Sequence, residues 1–228
     1  MQSPLTTEVL FLIGPIPVTT PVVTTWIVMA ALILGSIALT RGLKLKPNRR
    51  QAALELLIGA VDAQIVETMR APAARFRALI GTIFFFILFA NWSSMVPGME
   101  PPTAHLETDI ALAGIVFFAS IYFGIRQQGM GGYLRSFAQP SLIMLPLNIA
   151  ESFTRSFSMT IRLFGNVMSG VFIIGVVLSL AGLFVPIPLM ALDLLTGAIQ
   201  AYIFAVLSMV YIGSALGGET GQANEKRS

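Results

Sequence analysis

The sequence predicts an all-α polytopic membrane protein, with about five membrane-crossing helices and one amphipathic interfacial helix. Three observations predict it. The 228 residues are 55% hydrophobic and only 11% charged, against about 25% charged in a typical soluble domain, and mean hydropathy is +0.81. Apolar runs recur along the chain, each near the ~20 residues needed to cross a hydrocarbon core. The basic residues gather between these runs so that five crossings put all of the interspan ones on one side.

The elements follow in order. Residues 1–21 form an outer N-terminus. Met1-Gln2-Ser3-Pro4 has no basic start and no small-residue cleavage site before a hydrophobic core, so no cleaved secretory signal is expected. The first span is 22–40, a run without charge. Residues 41–78 open with Arg41, Lys44, Lys46, Arg49 and Arg50. They continue with Leu54, Leu57, Ile58, Val61, Ile65 and Met69 at helical spacing, interleaved with Glu55, Asp62 and Glu67. That pattern is an amphipathic helix on the membrane surface; a soluble connecting helix is the alternative. The second and third spans occupy 79–125, about Leu79–Val96 and Ile110–Ile125. A charged, Pro-rich loop with Pro97, Glu100, His105, Glu107 and Asp109 lies between them. A Gly-rich loop with Arg126, Gly129, Gly131, Gly132 and Arg135 follows the third.

Residues 141–217 are expected to form a tilted helical hairpin. From Leu147 to about Gly182 the chain is free of proline, which at ~1.5 Å per residue is ~54 Å of helix against a core ~30 Å thick. Such a helix must lean steeply. Pro186 and Pro188 break the chain, and Leu189 to about Leu216 gives the last helix. Residues 218–228 are a cytoplasmic tail. Five crossings put Arg41, Lys44, Lys46, Arg49, Arg50, Arg70, Arg75, Arg77, Arg126, Arg135, Lys226 and Arg227 on one side. Segments 1–21, 97–109 and 183–188 on the other side carry no Lys or Arg. The N-terminus is therefore expected outside and the C-terminus in the cytoplasm.

Several function classes are excluded. With no cysteine and a single His105, disulfides, thiolate metal sites, cysteine nucleophiles and multi-histidine metal sites are ruled out. No Gly-x-x-x-x-Gly-Lys-Ser/Thr run offers a phosphate cradle for ATP. The net charge of +3 does not point to nucleic acid, because apolar chain separates the basic residues.

Two basic residues remain, Arg155 and Arg162, both in the long fourth span. A guanidinium at membrane depth costs from ~3 to more than 10 kcal/mol unless it faces protein or water and has a partner. Arg155 lies two turns before Arg162, and Glu151 precedes Arg155 by four residues and can pair with it. Ser158, Asn166 and Ser169 share the stripe, while Gly165 and Gly170 permit close helix approach. Arg155 can also snorkel to the surface, and Asn166 and Ser169 can serve as helix–helix glue. The last span carries Asp193, Thr196 or Gly197, Gln200 and Tyr211 at near-helical spacing. A carboxylate and an amide on one face suggest a hydrated cation path; interfacial solvation of Asp193 is the alternative. Rival readings of the whole chain are a secondary transporter or anion channel that uses Arg162 as its substrate site, and a structural anchor. The first predicts internal repeats, which are not seen; the second predicts no charged stripe.

The run Ser158-Met-Thr-Ile-Arg162-Leu-Phe-Gly-Asn166-Val-Met-Ser-Gly170 closely resembles the signature of the ATP synthase subunit a family, the membrane stator of the Fo sector. Gln200-Ala-Tyr-Ile-Phe-Ala-Val-Leu-Ser-Met-Val-Tyr211 looks like that family's last helix. Asn91 to Pro97 and Gly131-Gly132 sit where the family pattern has an Asn-to-Pro stretch and a Gly-Gly loop, so the resemblance covers about residues 80–216. It implies that Arg162 is the ion-coupling arginine facing the rotor ring and that Gln200 is the glutamine across from it. Asn166, Ser169, Asp193, Glu107, His105 and Asn91 are then candidates for the ion path, with Arg155 and Glu151 in support. Ser156 stands where many members have proline, and Val171 where many have Glu or His, which shifts the outer path toward Asp193, Glu107 or His105. The resemblance implies no cofactor, no metal and no catalysis by the chain alone. The implied partners are a rotor ring of small helical hairpins, peripheral-stalk subunits, a soluble catalytic head indirectly, and membrane lipid in a bacterial-type inner membrane.

Overall fold

The structure, a computed structural model, describes residues 9–13, 16–41, 49–96, 99–137, 144–182 and 185–216. The expected features at Met1–Pro4, Lys44, Lys46, Pro97, residues 141–143 and the tail with Lys226 and Arg227 lie outside the described residues. Among the described residues, five helices are long and apolar enough to cross a membrane, in agreement with the all-α expectation. They are α1 (Thr20–Thr40), α3 (Arg77–Trp92), α4 (Leu106–Phe137), α5 (Met144–Ala181) and α6 (Pro186–Ala215), with α2 (Arg49–Met69) between the first two. A short antiparallel hairpin, β1 (Val9–Ile13) and β2 (Ile16–Thr19), precedes α1. Its Val, Phe and Ile residues favour extended chain.

Proline sets several starts. Pro21 stands in the first turn of α1, and Pro186 and Pro188 in that of α6, where a missing N–H has no intrahelical partner to lose. The same reasoning admits Pro146, so α5 begins at Met144, earlier than expected. Its 38 residues span about 57 Å. The hairpin turn follows at Gly182, whose φ of +74° suits a residue without Cβ.

The expected stripe on α2 divides. Ile65 and Met69 are buried with Ala205, Met209 and Ile212 of α6, while Leu57 and Ile58 remain exposed. The helix stops at Arg70 and Pro72 reverses the chain. The Gly-rich loop expected after the third span is not a loop. α4 continues to Phe137 through a kink at Gly129, with φ +74° and ψ 163°. The kink folds Tyr133 back onto Gly124, leaving no room there for a Cβ. Gly131 and Gly132 are helical, because two glycines weaken a helix without forbidding it.

The core lies among α3, α4, α5 and α6. Ile83, Phe86, Ile87 and Ala90 of α3 meet Leu112, Ala113 and Val116 of α4, Met159, Leu163 and Val167 of α5, and Ala201 and Phe204 of α6. α1 buries only Pro21, Thr24 and Val28, so most of its apolar surface is left for lipid. At one end of the bundle Arg75 donates to Gln127 at 3.2 Å and Gln128 donates to the Ala215 carbonyl at 3.0 Å. At the other, Trp92 donates to the Leu194 carbonyl at 3.1 Å. Arg75 and, beside Gln127, Arg126 thus lie at the first, basic end.

Candidate ion-coupling site

α5 and α6 build the site as an antiparallel hairpin. Gly170 lies against Asp193: a Cβ on Gly170 would sit 2.0 Å from Asp193 Oδ1. Eight residues back along α5 is Arg162 and seven on along α6 is Gln200, so the hairpin register sets these two level. Each stands near the middle of its helix, the nineteenth of 38 residues and the fifteenth of 30. Their side chains face differently. Gln200 is buried at 6% exposure, whereas Arg162 is exposed. They form no hydrogen bond with each other, so the structure makes them level without joining them.

Arg162 belongs to an outward stripe. Ser158, Arg162, Gly165, Ser169, Phe172 and Val176 recur at three- and four-residue steps and all are exposed. Phe157, Ile161 and Ile173 flank them, also exposed. Among the described residues Arg162 has no hydrogen-bond or ion-pair partner. Ser169 hydrogen-bonds only the Asn166 carbonyl, at 2.9 Å. Asn166 itself turns toward the interior, where its Nδ2 is buried without an acceptor among the described residues.

Two cavities flank this level, one toward each end of the bundle. Toward the basic end, a cavity of about 280 Å³ is lined by Gln128, Tyr133, Asn148, Glu151, Arg155 and Tyr211 among others. Glu151 and Arg155 form the expected ion pair, and the Arg155 guanidinium lies 5.5 Å from the Tyr211 ring centroid, within cation–π range. Toward the other end, a cavity of about 170 Å³ is lined by Ser94, Glu100, Val171, Met190 and Asp193 among others. Ser94 Oγ donates to Asp193 Oδ2 at 3.4 Å. Glu100, not among the candidates expected from the sequence, lies 3.5 Å from His105 Nε2. Glu107 is exposed in the first turn of α4 and does not line the cavity. Asn91 is a buried strut: its Nδ2 donates to the Gly197 carbonyl at 2.9 Å, and its Oδ1 accepts from Thr103 Oγ1 at 2.7 Å. Gly197 permits this because any Cβ there would stand 3.0 Å from Asn91 Cβ.

A family profile described as ATP synthase A chain matches residues 22–213. The chain belongs to the ATP synthase A chain family. It is 56% identical over 216 residues to ATP synthase subunit a 2 of Bradyrhizobium sp. strain BTAi1, covering 95% of this chain and 97% of that one. It is 47% identical over 193 residues to ATP synthase subunit a 2 of Acaryochloris marina, covering 84% and 82%. ATP synthase subunit a 1 of Hahella chejuensis is 40% identical over 216 residues, covering 95% and 92%. As a member of the ATP synthase A chain family, the protein is a non-catalytic Fo subunit of an ATP synthase, a multi-pass membrane protein built from the five long apolar helices.

Proposed function

We propose that this subunit is the ion-translocating stator, in which two offset half-channels load and unload cations on the carboxylates of a rotor ring. The observation that carries this reading is Arg162, exposed near the middle of α5 on an apolar face, with no partner among the described residues of its own chain. A guanidinium at that depth needs an anionic or hydrated partner, and this face supplies none. A ring carboxylate fits, being costly when charged in lipid and favoured in its ionised form beside a fixed positive charge. Arginine stays protonated, so Arg162 attracts and releases carboxylates without carrying the ion. Its charge also repels a cation attempting to pass directly between the two cavities.

The cavities at Asp193 and at Glu151–Arg155 supply the half-channels, and the hairpin of residues 141–217 supplies the ring-facing surface. Gly165, with open space where a Cβ would be, lets a ring helix come close. The N-terminus lies outside and the C-terminus in the cytoplasm, with the Asp193 cavity open to the outside. Peripheral-stalk subunits hold the chain against the ring, which couples it indirectly to the catalytic head.

The test is ion-driven ATP synthesis in membrane vesicles. Arg162→Ala abolishes it, while Arg155→Ala, which loses a pairing made within this chain, retains much of it. Arg162→Lys also fails where the planar fork matters as well as the charge. Full coupling in Arg162→Ala refutes the proposal.

A further inference from the structure

Asp109, in the first turn of α4, has a relative exposure of 0%. Neither of its carboxyl oxygens has a hydrogen-bond partner among the described residues. It occupies the core-facing stripe of α4, three, four and seven residues before Leu112, Ala113 and Val116, all of which are buried in the main cluster. An apolar residue would suit that position. A lone ionised carboxylate in such surroundings is among the costliest groups to bury, so its persistence calls for a proton or a bound cation.

Its level in the bundle is informative. Phe117 of α4 packs on Phe153 of α5 with centroids 5.6 Å apart, and the two helices run antiparallel. Eight residues toward the far end from each are Asp109 and Ile161, next to Arg162. On α5 the inward stripe there is Leu163, Asn166 and Val167, and it includes the second orphan, Asn166 Nδ2. Along α4 the chain leads back through His105 to Thr103, which is bonded to Asn91, and to Glu100 at the Asp193 cavity. Among the described residues, no charged group neutralises Asp109 from the packed elements. Arg162 faces outward, the Glu151–Arg155 pair lies toward the basic end, and Asp193 faces Gly170 and Ser94. Glu107, on its own helix, is exposed, and α1 and the turn Pro102–Ala104 have no titratable residue.

We infer that Asp109 is a relay site for the transported monovalent cation, a proton or an alkali ion, between the Asp193 cavity and the level of Arg162. The carboxylate takes one cation from the cavity side and gives one up toward the ring, ending each cycle unchanged. This rests on the stator reading above and adds to it a carboxyl on a helix outside the α5–α6 hairpin.

The experiment uses the whole complex in vesicles, with the catalytic head stripped for passive conductance and retained for ATP synthesis. Gradients of protons alone and of sodium alone distinguish the two cations. Asp109→Asn, of the same shape and unable to bind a cation by charge, is expected to lower both rates at least tenfold. Asp109→Glu is expected to keep them, with an altered outer pH or sodium concentration at half-maximal rate. Asp109→Leu, which continues the apolar stripe, should co-purify with the ring and conduct no better than Asp109→Asn. Wild-type rates and an unchanged half-maximal point in Asp109→Asn overturn the inference. So does failure of both Asp109→Asn and Asp109→Leu to co-purify with the ring, since the carboxyl is then structural. Arg162→Ala in parallel separates the two claims: if it still couples, the stator reading falls; if only Asp109→Asn behaves as wild type, that reading stands without this relay.

Discussion

Asn91 and Gly170 do their work through contacts of single atoms. The Asn91 amide satisfies a buried carbonyl on α6 and a buried hydroxyl beside α4 at once. Asn91→Leu strands both, and a buried polar group left unpaired costs about 1–3 kcal/mol. The thermal midpoint of the purified complex in detergent should fall accordingly. Asn91→Asp, which sets a buried carboxylate against the Gly197 carbonyl, should fall at least as far. Gly170 leaves the space that the Asp193 carboxylate fills. Gly170→Ala should therefore turn Asp193 away from its place beside Ser94 and slow ion-driven ATP synthesis several-fold, while leaving ring co-purification intact. Equal rates in Gly170→Ala and the wild type would show that this placement does not matter. Arg162 was legible in the sequence because charge is conspicuous in an apolar run. The Asp109 position was not, because it reads as one more acid in a charged loop until the α4 stripe is laid against the core.

At the scale of elements, the kink in α4 gives the sharpest expectation. The Gly129 backbone at φ +74° and ψ 163° lies in a region open almost only to glycine, where other residues pay about 1–3 kcal/mol in strain. Gly129→Ala should lower the thermal midpoint, because the kink carries Tyr133 onto Gly124 and leads the chain from α4 into α5. Gly131 is helical with open space around it. Gly131→Ala should instead be neutral or stabilising by up to about 1 kcal/mol, from helix propensity. The opposite signs, read in one melting series, test the kink itself. α2 shows a different division. Its periodicity marked an apolar stripe, and only the half near Met69 has found a protein partner.

At the scale of the whole molecule, charge and apolarity sort along the same axis. Arg75 and Arg126 fall at the end that closes on Ala215, and Glu100, His105 and Glu107 near the end that holds Asp193. The absence of native cysteine makes a direct test simple. An impermeant maleimide should label Glu107→Cys from outside intact cells and Arg126→Cys only in inverted vesicles. The reverse pattern would invert the proposed topology.

Sequence alone determined the number of long apolar helices, the helical class and the presence of a charged stripe in the fourth of them. These follow from local quantities: hydropathy over a bilayer thickness, the spacing of prolines, and the position of each arginine along the chain. Tertiary structure decided which polar groups turn inward, which two helices share a level, and where the cavities open. Those depend on helix rotation and register, set by contacts between residues such as Gly170 and Asp193 or Asn91 and Gly197 that lie far apart in the chain. It was packing that sent Gln200 inward and left Arg162 facing out.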